Sequence, residues 1–296
     1  MVGCYHIVWH FMNSLPAPSP WPRIAWFGLL LAACYAPVLW ALVGSWENPD
    51  MGHGYFVPLI VAFIIWQMRD SLKVMNPEPN WWGLLLVLLG GAQLIVATLG
   101  VELFLARSAF VITLIGMVWL LGGNQILKKL AFPLFLLFFM IPIPAIIYNR
   151  VTFPLQILAS KLADGALTLI DIPVLREGNI LELPNQRLSV VEACSGIRSL
   201  LSLTFLSLVY GYFFEKRAWT RAVLFASTIP IAILANGSRV TFTGIMTQVK
   251  PEFAEGFFHE TTGWVLFMGA LFILILFHRI LVRAQPLFQR WAAGKG

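Results

Sequence analysis

Blocks of about 20 consecutive apolar residues recur along this chain. That is the length a helix rising about 1.5 Å per residue needs to cross a hydrocarbon layer of about 30 Å. In water each block would need a polar covering of its own, and too little polar sequence is left to supply one. Of the 296 residues, 59% are apolar and 11% charged, against about 45–50% and 25% in a soluble domain. The chain reads as an all-α polytopic membrane protein, a bundle of about eight transmembrane helices forming one membrane-embedded domain over 1–296. The apolar runs place spans near 24–46, 54–68, 82–99, 103–123, 129–148, 191–213, 219–236 and 263–283. The second run is short, and Gly52, Gly54 and Pro58 suggest an irregular entry, which a membrane tolerates where protein or water satisfies the backbone.

Charge sets the orientation. A net charge of +6 and a pI near 9.4 would suit a nucleic-acid binder, but the basic residues sit in short clusters between apolar blocks, so no nucleic acid is expected. Arg23, Arg69, Lys73, Lys128, Lys129, Lys216, Arg217, Arg221, Arg279, Arg283, Arg290 and Lys295 fall on one side, joined there by Asp70, Glu78 and Glu215 as the acidic residues. That side is expected to be cytoplasmic, with both termini inside. Residues 1–23 then form a cytoplasmic segment without the pattern of a removable signal peptide, and 284–296 a cytoplasmic tail.

Residues 149–172 test that assignment, being nearly apolar enough to span. Gln156, Ser160, Asp164, Thr168 and Asp171 recur at spacings of 4, 4, 4 and 3, a polar stripe on one helical face. A span here would move Lys216, Arg217 and Arg221 outside, so an amphipathic helix on the outer surface is expected instead. Two short branched runs follow, Ile180 to Leu183 and Leu188 to Val191, separated by Pro184, Asn185 and Gln186. They read as a β-hairpin that completes an extracytoplasmic segment over 149–190. Alternatively Ser189 and Glu192 form a capping box that starts the next helix a turn earlier. No soluble domain large enough to hold a core is expected.

Polar groups at membrane depth are costly, and this makes ionisable residues near helix ends candidates for function. Cys194 opens the sixth span, Arg239 follows the seventh in NGSR, and His259 precedes the eighth. Topology brings the three to the outer boundary. A thiol titrates near 8.5, and a helix N-terminus or a nearby cation favours its thiolate. Arg198, four residues on, and Arg239 can share two tasks, one favouring thiolate and the other holding an oxyanion. His259 can move the proton between thiol and leaving amine, with His53 in NPDMGHGYFVP as a rival base. Glu192, Asn236 and Glu260 can orient these groups, and Arg198 can pair with Glu192 or Glu260. Cys4 and Cys34 have no such surroundings and read as packing residues. The cysteines form no metal spacing, and no GxGxxG or Walker pattern occurs, so neither metal nor cofactor is expected.

These residues lie in segments that resemble the exosortases, bacterial integral membrane cysteine transpeptidases. The likeness runs through HGYFVP, MIPIPAIIYNRVTFPLQILAS, IPVLREGNILEL, VVEACSGIRSL, LANGSRV and FHETTGW, in that order. It implies a Cys, Arg, His site on Cys194, Arg239 and His259, at the periplasmic face. It also implies, as partners, exported proteins with a short C-terminal tail: a Pro-Glu-Pro (PEP-CTERM) motif, a transmembrane helix and a basic end. Membrane lipids and accessory exopolysaccharide proteins complete the expected partners. Two other readings stand beside it, a non-catalytic component of exopolysaccharide export and an acyltransferase on lipid or glycan. Transport fits less well, because the ionisable residues gather at the boundary rather than at the midplane.

Overall fold

The computed structural model describes the backbone of residues 21–190, 196–250 and 256–293; of residues 21–25, 49, 196–197, 256–260 and 285–293 it describes the backbone alone. Among the described residues four helices are long and apolar enough to cross a membrane, or five if a pair bent by 69° counts as one span. The count of eight is not reached on that criterion, for reasons visible in two elements. Where 54–68 reads as a span, a 3₁₀ segment, Pro49–Tyr55, leads into α3, Phe56–Gln67, whose 12 residues are short of the roughly 20 a span needs. The runs at 103–123 and 129–148 count as one on that criterion, Leu103–Met140, although two helices meet there at a kink. Gly123, at φ +77°, breaks this run, in a conformation that glycine adopts without penalty.

The chain divides into two compact units, Met1–Ser45 with Pro58–Ile141, and Trp46–Val57 with Pro142–Gly296. The first holds α1 (Trp21–Cys34), α2 (Ala36–Ser45), most of α3, then α4 (Arg69–Val74), α5 (Trp82–Leu99) and α6 (Leu103–Leu136). Its α5 and α6 approach closely because small residues line the seam: a Cβ at Gly116 would lie 2.7 Å from the Val87 nitrogen. Lipid tails are as apolar as leucine, so helices in a membrane associate through such packing and through interhelical hydrogen bonds. Tyr35 supplies one of the latter, a 2.7 Å bond to Thr113 at the bend between α1 and α2.

The second unit holds the 3₁₀ segment, α7 (Ala145–Leu169), strands β1 (Leu175–Glu177), β2 (Ile180–Glu182) and β3 (Arg187–Ser189), and helices α8 (Gly196–Phe214), α9 (Ala218–Val249) and α10 (Gly256–Ala293). The strands form one antiparallel sheet in the order β1-β2-β3, with Arg176 opposite Leu181 and Leu181 opposite Leu188. This is a three-stranded meander, one strand more than the sequence suggested; the first turn uses Gly178 at φ +65°. The proposed Ser189–Glu192 capping box falls partly outside the described residues.

Two elements of this unit depart from the sequence reading. The first three residues of the polar stripe on α7 face the sheet, while Thr168 and Asp171 are exposed. Ser160 donates to the Gly178 carbonyl at 2.9 Å, Gln156 accepts from Asn179 at 3.1 Å, and Asp164 pairs with Arg176 at 3.5 Å. Ile146, Val151, Phe153 and Leu169 are exposed on this helix instead. A periodic pattern shows that a helix has two faces, and where the surroundings can be apolar it does not say which of them meets protein. Around this contact Ala159, Ala163, Leu167, Leu181, Leu188 and Val240 form a buried cluster, so the 149–190 segment does contribute to a small core. Also, α9 does not end near 236 but runs on to Val249. Asn236, Gly237 and Ser238 are weak helix formers, but tertiary packing overrides them: a Cβ at Gly237 would lie 2.9 Å from the Leu162 side chain of α7. Arg239 therefore sits inside a helix, not in a loop after one.

Candidate active site

Cys194 and Glu192 lie outside the described residues, and of His259 and Glu260 the structure describes only the helical backbone of the first turns of α10. The surrounding elements are described, and all belong to the second unit.

Arg198, in the first turn of α8, pairs with Asp50, while the side chains of its expected partners Glu192 and Glu260 lie outside the description. Its Nε and Nη2 donate to Asp50 Oδ1 at 3.1 and 3.0 Å. The other oxygen of that carboxylate accepts the Tyr148 hydroxyl at 2.7 Å. Burial, and then the hydrogen bond to Asp50, push the Tyr148 phenol far above the ordinary tyrosine value, so it stays a donor. Asp50 is itself held by a local turn, its N–H donating to Asn48 Oδ1 at 3.0 Å, the side-chain capping expected of asparagine before a helical turn. One carboxylate thus ties together three segments: the 3₁₀ segment, the start of α7 and the start of α8. His53 lies on the same 3₁₀ segment, its ring centroid 6.4 Å from that of Phe205 on α8.

On α9, Ala232, Ala235, Asn236 and Arg239 share a face; on α10, Gly263, Leu266, Phe267 and Ala270 do. With Ser199 and Leu203 of α8 they line a cleft whose polar end is Ser199, Asn236 and Arg239 and whose other end is apolar. Position 259 lies one helical turn before Gly263, on the same face of α10. The structure thus brings Arg239 and Asn236 beside the α10 face that carries position 259, and puts Arg198 and His53 with Asp50. Among the described residues no three His, Cys, Asp or Glu side chains converge as a metal ion would require.

Asp50, Tyr148 and Gly263 escaped the sequence reading. Asp50 is an acid in a short loop between apolar runs, a signal that was available; its partner is 148 residues away, and that pairing was not.

A multi-helix membrane protein with a small three-stranded sheet, and an arginine inside a helix that packs against two others, is the class that the fold defines. Over residues 45–276 the chain matches the family described as transmembrane exosortase (Exosortase_EpsH), and it belongs to that family. No curated protein and no solved structure matches it.

Proposed function

We propose that this protein is a membrane cysteine endopeptidase or transpeptidase that removes the C-terminal sorting tail of exported proteins and passes the new carboxyl end to an acceptor. The observation that carries this reading is the family match, which includes the segments holding Cys194, Arg239 and His259. The Cys194 thiolate attacks the peptide carbonyl carbon, and the carbonyl electrons move to an oxyanion that Arg239 stabilises. The C–N bond breaks, His259 delivers a proton to the departing amine, and a thioester remains. An acceptor amine, or water, then displaces the thiol. Partition of the two arginines supports this assignment. Arg198 is committed to Asp50, so its charge is largely neutralised and it serves the architecture, whereas Arg239 occupies the seam beside position 259. In this reading Asn236 and Glu192 support the site. The sheet end of the second unit faces the periplasm, and the Lys216, Arg217, Arg221 end faces the cytoplasm of a bacterial inner membrane.

The tail offered by the partner protein is a Pro-Glu-Pro motif, a transmembrane helix and a basic end. Cys194→Ser separates this reading from a non-catalytic component of exopolysaccharide export: a scaffold tolerates a near-isosteric change, and a thiolate enzyme should lose at least a hundredfold in rate. His259→Ala should stop processing while His53→Ala leaves the chemical step intact; the opposite pattern would move the base to His53.

A further inference from the structure

We infer that Gly263 is the positioning residue for Arg239, an inference that rests on the function proposed above. The faces of α9 and α10 that meet in the seam carry the same spacing, 232, 235, 236, 239 against 263, 266, 267, 270. At the Arg239 rung a long side chain meets a residue that has none. A Cβ built on Gly263 would lie 3.0 Å from Arg239 Cζ, 3.0 Å from Nη2 and 3.3 Å from Nη1. Three guanidinium atoms at nearly equal distance mean that the planar group lies with its face on the α10 backbone. Its N–H bonds lie in that plane, so they run along the α10 surface and not into it. Position 259 is one turn away on the same surface. The missing side chain at 263 therefore leaves the guanidinium room to lie flat on α10 at this height.

Helix propensity argues that this glycine is not there for the helix: glycine inside a helix is less favourable than alanine. Gly269, six residues on in α10, makes the comparison possible, because a Cβ there meets nothing within 4 Å. Alanine at either position gives the helix the same propensity gain. Only at 263 does the added methyl press on Arg239, and what it presses on is the flexible end of a side chain, so the guanidinium moves by a few tenths of an ångström and the fold stays. Displacements well under 1 Å at a catalytic group suffice to cost rate.

The experiment compares the full-length wild type, Gly263→Ala and Gly269→Ala, each also with Arg239→Lys, in detergent. It follows cleavage of an exported reporter carrying a Pro-Glu-Pro tail, together with thermal melting. Gly263→Ala should lower kcat about tenfold with little change in KM and melt no lower than wild type; Gly269→Ala should match wild type in rate. In the Arg239→Lys background, Gly263→Ala should change the rate less than twofold. Equal rates for Gly263→Ala and wild type, or an undiminished tenfold loss in the Arg239→Lys background, would overturn the inference. If the wild type leaves the reporter whole, the proposed function fails, and melting decides the contact. A smaller stabilisation from Gly263→Ala than from Gly269→Ala, equalised by Arg239→Lys, supports it, and equal stabilisation in both backgrounds refutes it.

Discussion

Asp50 shows how much one side chain can organise. Its carboxylate accepts from Arg198 on one oxygen and from Tyr148 on the other. Arg198 is about two-fifths exposed, and an ion pair of that exposure contributes at most about 1 kcal/mol. The Tyr148 bond, a short contact to a charged acceptor, is worth about 1.5–3 kcal/mol and is the stronger of the two. Tyr148→Phe should therefore cost more stability than Arg198→Gln, read as melting temperature in detergent, and Asp50→Asn should cost about as much as the two together. If Arg198→Gln proved the costlier, the ion pair rather than the phenol would hold the loop. Arg239→Lys tests the other arginine: an ammonium lacks the planar fork, so processing should fall at least tenfold with stability little changed. At this scale the sequence was informative about residue types but not about partners. The block around Cys194 and the NGSR and HETTGW segments are legible as candidates, because ionisable groups stand out in apolar sequence. The partition between Arg198 and Arg239 was not, because nothing local to Arg198 indicates an acid 148 positions earlier.

Among elements, the second unit closes at the end away from the sheet with a buried network. Glu215, in the link between α8 and α9, accepts from the Arg217 backbone N–H at 2.8 Å, and its other oxygen lies 3.3 Å from His278 Nε2 on α10. Tyr210 of α8 meets His278 Nδ1 at 3.1 Å. Burial alone would raise the Glu215 carboxyl, but the N–H groups of Arg217 and Lys216 and the contact with His278 outweigh it and hold it below its ordinary 4.5. A depressed carboxyl contributes stability that is fully present above the unfolded value near 4.5 and is lost as pH falls through the lower folded value. Glu215→Gln should therefore melt below the wild type at pH 7, and the difference should shrink as pH falls below about 4.5. A constant difference across that range would show that charge is not what the link uses. The helices themselves were largely legible, since apolar runs of span length leave few alternatives. The orientation of α7 and the length of α9 were not. Both depend on which face finds a partner, and Gly237 against Leu162 is a contact that pattern reasoning within a single segment does not reveal.

For the whole molecule, positive charge and apolar length together predict a thiol that faces the periplasm. An impermeant thiol reagent added to intact spheroplasts should label Cys194 but not Cys4, and labelling only after permeabilisation would invert the topology. The candidate residues of three helices and one 3₁₀ segment fall in a single unit, which is what a site assembled from distant stretches of sequence requires. The proposed function requires this unit to cut peptide with the Cys194 thiol. The most direct measurement co-expresses the protein, as wild type or as Cys194→Ala, with an exported reporter bearing a Pro-Glu-Pro tail, transmembrane helix and basic end, and reads reporter size on a gel. The tail should be lost with the wild type and kept with Cys194→Ala; equal loss of the tail with both proteins would contradict the account.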